Sequence, residues 1–200
     1  MQDDDFGTYH VYNRGVDKRS IFMDDIDRKN MINKIEKYRF NKNGEKEVDL
    51  LCYCLMDNHY HLLIQPCVQG GMSKYMHRIG TGYTNYFNTR NWRRSGALFE
   101  TTYKSRQVVD DSHFWHLYRY IHLNPLKFLS RSWKAGMNDI EHAVEFVKGY
   151  QWSSFHILFN QDSYLLKNRV FLSEFKKPDD FIYFLIDWIC FGVPKRQLLV

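Results

Sequence analysis

The sequence predicts an α+β fold: a ferredoxin-like antiparallel sheet of βαββαβ order with helices on one face, an added helix after it, and a helical C-terminal extension. Three observations carry this expectation. Four extended, apolar-rich segments closed by turn chemistry fall before residue 110. Two segments with apolar residues at helical spacing lie between them. Beyond Asp110 the pattern turns helical.

Composition sets the frame. Two hundred residues, 44% hydrophobic and 17% aromatic, suffice for one sizeable core, or for a domain with an extension. No run of about 18 apolar residues exists, so no membrane span is expected. The opening MQDDDFGTYH is acidic and lacks the apolar stretch of a secretory signal. Cys52 and Cys54, two apart on a strand, suit neither a disulfide nor a zinc knuckle and read as small buried residues in a reducing compartment. A cytoplasmic location follows as the expectation.

Each element has a local reason. Tyr9–Tyr12 reads as the first strand, and Asn13-Arg14-Gly15 breaks it into a basic loop with Lys18 and Arg19. Asp24 or Asp25 can cap a helix whose stripe is Met31, Ile35 and Tyr38. Leu50–Met56 and His59–Gln65 form a hairpin: Asp57-Asn58 supplies the turn, and Pro66 stops the second strand. Ser73 can cap a second helix with Met76, Ile79, Tyr83 and Phe87 as its core face. Ala97–Val109 reads as extended, with Lys104 and Arg106 on one face. Asp110-Asp111-Ser112 caps a third helix starting near His113. Ile140–Val147 is the clearest helical piece beyond it. Val170–Ile189 reads as helix bent around Pro178.

Two features carry chemistry. Alternation along the strand puts His59 and His61 on one face, roughly 7 Å apart at Cα, while Tyr60, Leu62 and Ile64 take the buried face. By itself such a pair reads either as a hydrogen-bonded surface feature or as part of a metal site. Two imidazoles leave a hard cation incomplete. On the third helix Phe114, Leu117, Tyr118 and Ile121 form the apolar stripe. Tyr120 lies about 110° from the middle of it, with Asn124 one turn on along the same face. Net charge is only +5, but from Lys74 to Lys134 eleven Lys/Arg face three acids, interleaved with thirteen aromatics. That is either an ordinary basic face over core aromatics or a surface for phosphates and unpaired bases.

Together these stretches resemble the HUH single-tyrosine transposases, and within them the REP-associated tyrosine transposases. YHVYNRG is similar to the family's first strand and loop. YCLMDNHYHLLI resembles the strand bearing the His-hydrophobic-His motif. ALFETTYKSRQVVDD, running into RYIHLNPLK, resembles the strand and the helix that presents the nucleophile, and YQWSSF the closing motif. The resemblance implies a catalytic domain over residues 1–155, with 156–200 as a helical extension packed on it. It implies a divalent metal, Mg²⁺ or Mn²⁺, on His59, His61 and Asn124, with Tyr120 as the nucleophile. Its partner would be single-stranded DNA carrying a REP-like hairpin, acted on by a monomer or a homodimer. Arg14, Arg93, Arg94, Lys104 and Arg106 are candidate DNA contacts; Trp92, Tyr103 and Trp115 are candidate stacking residues. The competing readings are a hairpin-binding protein without transposition, a metal nuclease that uses water, and an RNA-binding module.

Overall fold

A computed structural model of the chain describes residues 6–91, 96–159, 174–175 and 177–194. It divides into two compact units, residues 1–51 with 55–109, and 52–54 with 110–200.

The first unit holds the sheet. Its elements are β1 (Tyr9–Arg14), α1 (Asp25–Lys37), β2 (Val48–Leu55, whose Cys52–Cys54 group with the second unit), β3 (His59–Pro66), α2 (Gly71–Arg90) and β4 (Lys104–Gln107). The strand order is β2-β3-β1-β4, and β1 runs antiparallel to both β3 and β4. This is the order a βαββαβ chain adopts when each helix returns it across one strand. Val11, Tyr60, Leu62 and Ile64 are buried, as are Met31 and Ile35 of α1 and Met76, Ile79, Tyr83 and Phe87 of α2. The alternation and the helical stripes therefore locate this core.

Local chemistry sets the ends. The Asp24 carboxylate accepts from the Ile26 and Asp27 amides and caps α1. The buried Asp27 carboxylate accepts from Met23 N–H, Tyr86 Oη and Arg90, tying α1 to α2. The second helix starts earlier than expected, at Gly71, after Gly70 in the left-handed region at φ 70°. Ser73 is not its cap; its hydroxyl faces that of Tyr103 at 3.3 Å. Of 97–109 only Lys104–Gln107 forms strand. The Asn13 side-chain amide donates to the carbonyls of Thr101 and Thr102, which holds this stretch outside the ladder. Gly15 is required by close approach: a Cβ there would lie 2.2 Å from the Arg19 carbonyl oxygen.

The second unit is helical: α3 (Asp111–Leu123), 3-10 turns at Asn124–Phe128 and Trp133–Ala135, α4 (Ile140–Gly149), α5 (Ser154–Phe159) and α6 (Pro178–Phe191). Asp110 and Asp139 cap α3 and α4 through the amides of His113 and His142. Pro178 starts α6 rather than bending it, because a proline at the first helical position lacks only an N–H that would be unbonded there anyway. The expected helix between 170 and 173 lies outside the described residues. The α6 helix packs on α3: Phe181 meets Tyr118 and His122, Trp188 meets His116, and the Arg119 guanidinium lies 3.8 Å from the Phe184 ring centre. The YQWSSF motif acts here as a clasp. Ser154 Oγ accepts from Tyr53 N–H at 3.0 Å and lies 2.9 Å from His122 Nε2, all of it buried. No helix among the described residues is long and apolar enough to cross a membrane.

Candidate functional site

Register builds one face of the sheet. Tyr12 pairs with His61 and with Lys104, His10 with Leu63 and Arg106, and Arg14 with His59. Directly opposed residues share a face, so His10, Tyr12, Arg14, His59, His61, Lys104 and Arg106 all project from the same side. The His59 and His61 rings stand edge to face at 5.1 Å. His10 stacks on His61 at 5.1 Å, and its Nε2 lies 2.9 Å from His61 Nδ1. His10 and His61 are buried and His59 is half-buried.

The surroundings decide which ring nitrogens carry protons. Asn58 Nδ2 donates to the Lys18 carbonyl at 2.8 Å, which turns its Oδ1 toward His59 Nδ1 at 2.7 Å. An amide oxygen only accepts, so His59 carries its proton on Nδ1 and its lone pair on Nε2. The basic loop after β1 thus orients a ring on β3. His61 Nδ1 and His10 Nε2 share one proton between them. The sequence reading did not single out His10. It alternates with Tyr12 and Arg14 on β1, but its meeting with His61 depends on the β1–β3 register, which that alternation does not specify.

The expected DNA contacts fall into three groups. Arg14 grips Glu100 through two bonds of 2.8 and 3.2 Å, and this contact holds the Glu100 carboxyl below the usual range. Lys104 and Arg106 are exposed on the histidine face. Arg93 and Arg94, with Trp92, lie outside the described residues. Of the other aromatics, Trp115 packs edge-on against Phe175 and Phe184.

Tyr120 and Asn124 belong to the second unit. The helical pattern places Tyr120 off the apolar stripe, yet it is only 7% exposed. Its cover comes from neighbours remote from that stripe. His116 lies parallel one turn earlier at 6.4 Å, and Trp133 stacks at 6.3 Å. Lys134 Nζ stands 4.7 Å and Lys127 Nζ 5.9 Å from the ring centre. Burial and the neighbouring Lys134 push the Lys127 amine down to about 8; burial lowers Lys134 too.

Asn124 ends α3 in helical conformation despite Pro125, with its N–H bonded to the Ile121 carbonyl as the backbone tightens into the 3-10 turn. It is fully buried, and among the described residues neither Oδ1 nor Nδ2 has a hydrogen-bond partner. Each such group costs about 1–3 kcal/mol when nothing bonds it. Its oxygen is a donor that magnesium and manganese accept. Among the described residues no group of three or more His, Cys, Asp or Glu could hold an ion. The His59 and His61 imidazoles are likewise donors that such ions take.

Comparisons with known proteins bear on the family and the fold. The family described as IS200-like transposase matches residues 7–124, which takes in the sheet, the histidine pair, Tyr120 and Asn124. A search of curated proteins found no match. A solved structure described as a REP-associated tyrosine transposase bound to a REP hairpin shares the fold, with a TM-score of 0.55 at 13% identity over 80% of this chain and 82% of that one. With the family match spanning more than half its length, the chain belongs to the IS200-like transposases, within the HUH tyrosine transposase superfamily.

Proposed function

We propose that this chain is a metal-dependent enzyme that nicks and joins single-stranded DNA beside hairpins through a 5′-phosphotyrosine intermediate. The observation that carries the reading is the buried Asn124 amide, without a hydrogen-bond partner among the described residues, one helical turn from Tyr120. His59, His61 and Asn124 would hold Mg²⁺ or Mn²⁺. Bound there, the ion would offset charge on the scissile phosphate oxygens and on the leaving 3′-oxygen.

The rest falls to the chain's own residues. Asn58 and His10 orient the two imidazoles through their Nδ1 atoms. Tyr120 Oη forms the new bond to phosphorus. The 3′-oxygen leaves with the electron pair and takes up a proton, while the phenol proton passes to solvent. A second 3′-hydroxyl then attacks the phosphotyrosine, releases Tyr120 and reseals DNA. The phosphodiester energy is conserved throughout, so joining needs no ATP. Lys104 and Arg106 on the histidine face, with Arg93 and Arg94, are the proposed contacts to the DNA backbone, and affinity should fall steeply with salt. Arg14 reaches DNA only by exchanging Glu100 for phosphate. A hairpin substrate accords with the fold relative, whose description names a bound REP hairpin.

The test mixes the full chain, Mn²⁺ and a 5′-tailed hairpin oligonucleotide and looks for a denaturation-resistant protein–DNA adduct. The adduct is expected with the unaltered chain, and neither with Tyr120→Phe nor after chelation. Cleavage that survives Tyr120→Phe and leaves DNA free would mean a water-using nuclease. Hairpin binding with no adduct on any REP-like oligonucleotide would mean a binding protein without strand transfer.

A further inference from the structure

We propose that Lys127 and Lys134 form an anion site over the Tyr120 ring that receives the phosphodiester during transfer. The inference deepens the reading of Tyr120 as nucleophile and assigns the phosphate a place in the same unit. Arg28, Arg39, Arg78 and Arg90 are each partly shielded, and each meets a carboxylate. Lys127 and Lys134 are half-buried as well. Among the described residues, however, neither forms an ion pair. Instead both ammonium groups converge on one phenol ring, at 5.9 and 4.7 Å from its centre.

Two like charges brought together and partly desolvated oppose folding. The low Lys127 pKa, whose causes are burial first and Lys134 second, registers that cost. The ring face offsets part of it by a cation–π contact. An arriving anion would offset the rest. Lysine suits phosphate as a compact point charge. The charge count also fits: when a phenolate oxygen bonds to the phosphorus of a monoanionic diester, two negative charges share one centre until the 3′-oxygen leaves with its electron pair. Two cations at the ring match them. Trp133, stacked on Tyr120 and carried on the same 3-10 turn as Lys134, fixes that turn against the ring.

The experiment uses the full chain with Mn²⁺ and the 5′-tailed hairpin oligonucleotide. Lys127→Met and Lys134→Met should each slow adduct formation at saturating DNA by about 10²- to 10³-fold, the scale for losing one electrostatic contact to a transition state. Lys→Gln variants should behave like the Met variants, and Lys→Arg should restore most of the rate. The log–log salt slope of hairpin binding should flatten by about one unit per lysine removed. The thermal midpoint should not fall, because a shielded cation without a carboxylate has been deleted. The slope change should persist in a Tyr120→Phe background, which separates the anion site from the nucleophile. An adduct that survives Tyr120→Phe sinks the nucleophile reading and leaves the slope to judge the lysines. A Met or Gln variant that unfolds, or that keeps the unaltered rate and slope, overturns the proposal.

Discussion

Ser154→Ala should destabilise the helical unit by an amount that follows from proton accounting. Ser154 Oγ lies 3.0 Å from Tyr53 N–H, 2.9 Å from His122 Nε2 and 3.2 Å from the Tyr53 carbonyl oxygen. A hydroxyl has one proton to give. His122 Nδ1 lies 2.8 Å from the Tyr118 carbonyl, which only accepts, so Nδ1 carries a proton. Burial pushes the His122 pKa down to about 4, so the ring is neutral near pH 7 and its Nε2 is an acceptor. The serine proton therefore goes to His122, and the serine lone pair accepts from Tyr53. Alanine would leave a buried N–H and a buried ring nitrogen unbonded, at about 1–3 kcal/mol each, or about 2–6 kcal/mol together. With a urea dependence of about 2 kcal/mol per molar, the midpoint should drop by about 1–3 M. Tryptophan fluorescence is a suited probe, since Trp115, Trp133, Trp152 and Trp188 all fall in this unit. Adding His122→Leu should cost less than the sum of the two single changes, because the pair shares one bond. A midpoint shift below about 0.3 M, which corresponds to under about 0.6 kcal/mol, would refute this account of the clasp.

Two further predictions concern the donor atoms. His10→Phe keeps a ring against Tyr12 and His61 but removes the nitrogen that meets His61 Nδ1, so Mn²⁺ affinity measured by calorimetry should fall about 10- to 100-fold. His10→Gln, which can still accept a proton there, should recover part of it, and equal affinity in all three proteins would show that His10 orients nothing. Asn124→Leu replaces a buried amide having no partner among the described residues with an apolar group of similar size. Stability should hold or rise by about 1 kcal/mol while Mn²⁺ binding and adduct formation are lost; a large fall in stability would mean that the amide has a structural role instead.

Much of the fold was legible because its signals are local. Period-two alternation from His59 to Ile64 separates the histidine pair from the buried face within a few residues. Helical spacing gives α2 and α3 their stripes, and the same geometry puts Asn124 one turn from Tyr120. Asp24 and Asp110 each cap the helix they precede. Where a local cue misled, a competitor had won: Asn13, 88 positions before Thr101, holds the 101–102 carbonyls away from the ladder, and Gly70 starts α2 before Ser73 could cap it.

The chemistry around the candidate site depended on distant partners. His10 reaches His61 across 51 positions through the β1–β3 register, and Glu100 engages Arg14 across 86. Lys127 and Lys134 converge on Tyr120 because two short turns fold back over α3, and Ser154 finds His122 only once α5 has packed. The sequence by itself determined the order of elements and the faces of each, since backbone geometry imposes those periods on any chain; the nucleophile candidate came from the resemblance to a family. Register, proton placement and the gathering of charges around the phenol were left to the tertiary structure. They depend on which segments meet, and no local period encodes that.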